Sequence, residues 1–124
     1  MDLMTYLRND LVRLMKRREK VGLRAVRDAI SAIQNAETSY LTTPATVGAP
    51  NEFVAGAVSF GTSERIVRPL GAAEAMALAR GQVERRLEDA ATLRRHGHVD
   101  RALMLKAEAL VLSERLDAFG SYAP

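Results

Sequence analysis

The chain has 124 residues, with 18 lysines and arginines against 15 aspartates and glutamates, a formal net charge of +3 and no cysteine. The missing cysteine excludes disulfides, thiolate nucleophiles and sulfur metal sites, and makes a reducing cytoplasm the expected location. The length fits one domain that buries its own core; with aromatics at 5% and no tryptophan, that core must come from Leu, Val, Ile, Met and Ala, which favours helices packed on helices.

In chain order, Leu3, Leu7, Leu11 and Leu14 recur at helical spacing with Met4 and Met15 beside them, while Arg13, Lys16 and Arg17 fall opposite. This predicts an amphipathic first helix with Asp2 as its N-cap. The charged run RREKVG, ending at Gly22, suits a tight turn. A stripe of Leu23, Val26, Ile30 and Ile33 then predicts a second helix to about Tyr40, closing a first hairpin over residues 1–41. From 42 to 68 the periodicity stops in a segment rich in Gly, Ala, Thr, Ser and Pro, which predicts a long flexible loop. After Pro69, Met76, Ala79, Val83, Leu87 and Ala90 form a third stripe with Arg85, Glu88 and Asp89 outside it, and Arg94, Arg95 and Gly97 suit the end of that helix. A last helix from about Asp100 to Ala118 completes a second hairpin over 69–119, with residues 120–124 as a tail.

The predicted fold is therefore all-α, a small bundle of two helical hairpins in a single domain over 1–124, with a long irregular loop between the second and third helices. No apolar run approaches the roughly 18 residues of a membrane span, and the N-terminus turns polar too soon for a signal peptide, so no membrane is expected. The last helix has two apolar faces. Leu103, Ala107 and Leu110 lie on one side, and Leu105, Leu112, Leu116 and Phe119 lie nearly opposite. A single core covers one face well, so Leu105, Leu112, Leu116 and Phe119 are the predicted contact with a partner chain, a second copy among the choices, or with the long loop.

No catalytic constellation stands out, and no cofactor is expected. His96 and His98 flank Gly97 without a third ligand and read as turn residues rather than a metal site. Gly56 to Gly61 has the glycine spacing of a phosphate loop, but Thr62 stands where the lysine belongs. Glu84, Glu88 and Asp89, interleaved with Arg85 and Arg86, read as a solvated helix exterior. Arg27 and Glu37 fall on or beside the second stripe and are expected to pair at an inter-helix seam. The cations Arg13, Lys16, Arg17, Arg18, Lys20 and Arg24 crowd the first turn, within reach of several phosphates of a polyanion, with no aromatics among them for base stacking.

The stretch LRNDLVRLMKRREKVGLRAVRDAISAIQNAE, Leu7 to Glu37, resembles the YqeY family, whose helical module also forms the tail of the B subunit of tRNA-dependent amidotransferases. Met15, Lys16, Arg18 and Lys20 match the family's basic turn. Val26 and Arg27 match its Leu-Arg pair with Val for Leu, and Asn35, Ala36 and Glu37 match its closing motif. A weaker likeness runs from Val83 to Leu116 through Gly97 and Glu108, and ends in Arg115, Leu116 and Asp117 where the family has Tyr-Leu-Pro. The resemblance thus implies the N-terminal helical half alone. It implies a non-catalytic adaptor that contacts tRNA, through Arg13, Lys16, Arg17, Arg18, Lys20, Arg24 and Arg27, or an amidotransferase-like complex that makes carbon–nitrogen bonds with glutamine as amide donor. The chain has neither the cysteine nor the Gly-Ser loop with a lysine that glutamine hydrolysis requires. A structural protein that self-associates through its last helix, with no nucleic-acid role, is the alternative.

Overall fold

The computed structural model describes residues 1–48 and 70–122, with side chains over 1–38 and 70–121. Four helices follow in order: α1 (Leu3–Arg17), α2 (Lys20–Gly48), α3 (Ala72–Arg95) and α4 (Val99–Tyr122). No strand occurs among the described residues. The fold is the all-α bundle of two hairpins that the spacing predicts. Two boundaries differ. The backbone of α2 continues past Tyr40 to Gly48, and α4 takes in part of the predicted tail. Amphipathic periodicity marks burial rather than helicity, so the end of a stripe need not be the end of a helix. Residues 49–68 of the predicted loop, including Gly56 to Gly61, lie outside the described residues.

At the start of α1 the Asp2 carboxylate accepts the Thr5 amide at 2.8 Å. Hydrogen bonds from the Thr5 side chain and amide hold that carboxyl below its usual range. The cap therefore acts above the ordinary carboxylate range and weakens as the pH falls through the lowered value.

The chain turns at Arg18 and Glu19, earlier than Gly22. Arg18 adopts φ 58°, its amide reaching the Met15 carbonyl at 3.1 Å and that of Glu19 the Leu14 carbonyl at 3.0 Å. A side chain in the left-handed region costs about 1 kcal/mol. Arg18→Gly is accordingly expected to stabilise the protein by about 1 kcal/mol in urea melts. Gly22 matters for a different reason. It is buried inside α2, where a Cβ would stand 3.0 Å from Val111 Cγ1 and 3.3 Å from Leu14 Cδ2. A Cβ here would require the Val111 and Leu14 side chains to give by a few tenths of an ångström, so glycine suits the close approach of α1, α2 and α4.

The α3–α4 turn follows the sequence closely. Gly97 has φ 85°, its amide bonds to the Arg94 carbonyl at 3.0 Å, and the His98 amide bonds to that of Leu93 at 2.8 Å. These are the two bonds of a Schellman motif. At the other end of α3, Glu74 accepts the Gly71 amide at 3.0 Å, half of a capping box whose other half glycine has no side chain to supply.

The core joins Leu7 and Leu14 of α1, Val26, Ala29 and Ile33 of α2, Ala79 and Val83 of α3, and Leu112 and Leu116 of α4. This corrects the predicted partner face. Leu112 and Leu116 are wholly buried within the chain. Phe119 is half-buried with its ring 5.1 Å from that of Tyr6, and Leu105 is also half-buried. The face left in water is the opposite one, where Leu103 and Leu110 are each 56% exposed. Spacing reveals that α4 has two apolar faces, but the packing of the other helices decides which one the bundle takes.

Candidate functional site

Three charged residues sit in the apolar registers and are buried: Asp10 in line with Leu3, Leu7 and Leu14; Arg86 in line with Ala79, Val83 and Ala90; and Glu108 beside Ala109 and Leu112. A charge in a core register needs a partner from another helix, since an uncompensated buried charge is costly. Arg86 is therefore not on the helix exterior. Its Nε donates to Glu108 Oε1 at 3.0 Å, its Nη1 to Gln82 Oε1 at 3.1 Å, and its Nη2 to Asp28 Oδ2. The second Glu108 oxygen accepts Arg24 Nη1 at 3.3 Å. Asp28, Arg86, Glu108 and Arg24 thus tie α2, α3 and α4 together at one level. With a guanidinium on each oxygen, Glu108 is a structural anion rather than a general base.

Asp10 forms a second seam. Its oxygens lie 2.8 Å from Arg13 Nη2 and 3.4 Å from Arg115 Nε. Arg13 is thereby drawn to a surface hollow shared with Tyr6, Asn9 and Arg115, away from the other predicted cations. The expected Arg27–Glu37 pair does not form, because ten residues of helix separate them by about 15 Å. Glu37 instead accepts the Leu70 amide at 3.1 Å and so anchors the chain as it enters α3.

The remaining cations do assemble. Lys20, Arg24 and Arg27 recur on one face of α2 and line one shallow hollow with Leu23 and Asp28. A neighbouring hollow runs from Arg24 to Asp100, Arg101, Met104, Leu105 and Glu108. It brings to the row Arg101, which sequence reasoning missed because no spacing links it to α2. Lys16 and Arg18 stand exposed just before the row, and Arg17 lies 3.9 Å from Glu19. Among the described residues Lys16, Arg18, Lys20, Arg27 and Arg101 have no ion-pair partner. Of the acids beside the row, Asp28 and Glu108 both hold Arg86, while Asp100 in the same hollow as Arg101 has no ion pair among the described residues.

His96 and His98 are exposed, His96 Nδ1 lying 2.9 Å from the Thr92 carbonyl. No group of three or more metal-ligating side chains occurs among the described residues. Nor is any helix among them long and apolar enough to cross a membrane. Compared with protein-family profiles, with curated proteins and with solved structures, the chain matches none.

Proposed function

We propose that the chain is a non-catalytic helical adaptor that holds tRNA by its phosphates, through the α1–α2 turn and the basic row behind it. The observation that carries this reading is the alignment of Lys20, Arg24 and Arg27 on one face of α2, with Arg101 across the adjoining hollow. Lys20, Arg27 and Arg101, which hold no ion pair among the described residues, are available to phosphates without first breaking one, whereas Arg24 is shared with Glu108. No aromatic side chain lines either hollow, so the contacts favour backbone over bases. The likeness of Leu7 to Glu37 to the YqeY module and the amidotransferase tail supports tRNA as the polyanion. It also supports a setting in an amidotransferase-like complex, where this chain supplies contacts and another subunit the chemistry.

Anisotropy of labelled bulk tRNA, titrated at low and near-physiological salt, tests the reading. Wild type is expected to bind and to weaken steeply with salt. A Lys20→Ala/Arg27→Ala/Arg101→Ala variant should bind more weakly, with the log–log salt slope reduced by about 2–3. Its thermal melt should match wild type, since these side chains support no internal pair. Absence of wild-type binding at low salt would end the proposal.

A further inference from the structure

At its turn end the second hairpin carries an apolar cleft that neither the core nor the basic row uses. Leu87 and Leu103 form its walls, 42% and 56% exposed; Ala90 and Ala102, both buried, form its floor; Arg94 and Lys106 stand at its rim. The space holds about 310 Å³. All of these residues lie turnward of Arg86 and Glu108, the last residues of the hairpin to which α2 is hydrogen-bonded. Leaving two leucines half in water here forgoes hydrophobic stabilisation that a covering helix would recover.

We infer that this cleft docks an amphipathic, acidic helix of a partner protein. The hairpin already receives one helix in this manner. Buried Val26, Ala29 and Ile30 of α2 join the core, while the neighbouring carboxylate of Asp28 meets Arg86 on the hairpin. A second helix with apolar residues at the same spacing and a flanking carboxylate would find in the cleft buried alanines, exposed leucines and a cation. Arg94 and Lys106 have no ion-pair partner among the described residues, so the charge a partner must bring is negative. A second copy seated on the same cleft by a two-fold axis would oppose Arg94 and Lys106 to their own counterparts, which disfavours self-association. The inference is independent of the tRNA reading, because none of the row residues lines the cleft.

The test titrates the full chain into two labelled helical model peptides with leucines at i, i+3, i+4 and i+7, one flanked by glutamates and the other by lysines. The glutamate peptide is expected to bind, and Leu103→Asp to weaken it about tenfold or more. Arg94→Glu/Lys106→Glu should reverse the preference toward the lysine peptide. Thermal melts check that the variants stay folded, which the exposure of these side chains favours, and Lys106→Glu alone serves as a milder second variant. No binding of the glutamate peptide, equal binding of both peptides, or indifference to the variants overturns the inference. Sedimentation showing a wild-type dimer that Leu103→Asp dissociates also overturns it, since the occupant is then a second copy.

Discussion

Glu108→Ala is expected to lower the free energy of unfolding by about 3–5 kcal/mol, a large share of what a domain of this size has. The Glu108 carboxylate is 1% exposed and receives Arg86 Nε at 3.0 Å and Arg24 Nη1 at 3.3 Å. Its removal has unequal consequences for the two arginines. Arg24, with a side chain 67% exposed, turns to water. Arg86, with a side chain 8% exposed, keeps its charge inside the bundle with only Asp28 and Gln82 to meet it. Most of the loss therefore comes from the stranded guanidinium rather than from the attraction that disappears. For that reason Arg86→Met/Glu108→Leu, which removes both charges and keeps the volume, is expected to recover most of the stability. Urea denaturation followed by circular dichroism measures both. A loss below about 1 kcal/mol for Glu108→Ala would mean that Glu108 is not buried against Arg86.

Leu112→Ala and Leu103→Ala, on one helix and in one residue type, should differ by several kcal/mol. Leu112 is wholly buried within the core that the four helices share, so truncation opens a cavity and should cost about 2–5 kcal/mol. Leu103 is 56% exposed and lies outside the core, so the same truncation should stay within about 0.5 kcal/mol. The pair of melts reads directly which face of α4 the bundle has taken. If Leu103→Ala proves the more damaging, α4 is rotated by half a turn from the arrangement described. The contrast also determines how a partner surface is probed. A charge at Leu112 would unfold the chain, whereas a charge at Leu103 leaves the core intact and isolates the docking cleft.

Charge in an apolar register is a sequence signal that went only half read. Asp10, Arg86 and Glu108 each interrupt a run of core positions at helical spacing, which marks them as buried. Arg13 and Gln82 are local partners, but Arg115 of Asp10, Asp28 of Arg86 and Arg24 of Glu108 lie on other helices, and nothing local connects residues so far apart. Spacing alone therefore groups Arg86 with Arg85 on the exterior and offers Glu37 to Arg27, although ten residues of helix, about 15 Å, keep that pair apart. The basic row was partly legible, because Lys20, Arg24 and Arg27 share a face by spacing alone. The arrival of Arg101 was not, since it depends on how α4 lies against α2, whereas the Arg13–Asp10 pair has the i,i+3 spacing of one helix.

By itself the sequence determined the all-α class, the two hairpins, the Asp2 cap and the Gly97 turn. Each of these rests on spacing or on the backbone preference of one residue, and such forces act within a few positions of their source. Only the tertiary structure decided which face of α4 is core, why glycine suits position 22, how Arg86 and Glu108 are compensated, and which cations gather into a row. Those outcomes depend on close approach between helices distant in sequence, where a single Cβ or an unpaired charge carries a cost that no local pattern records.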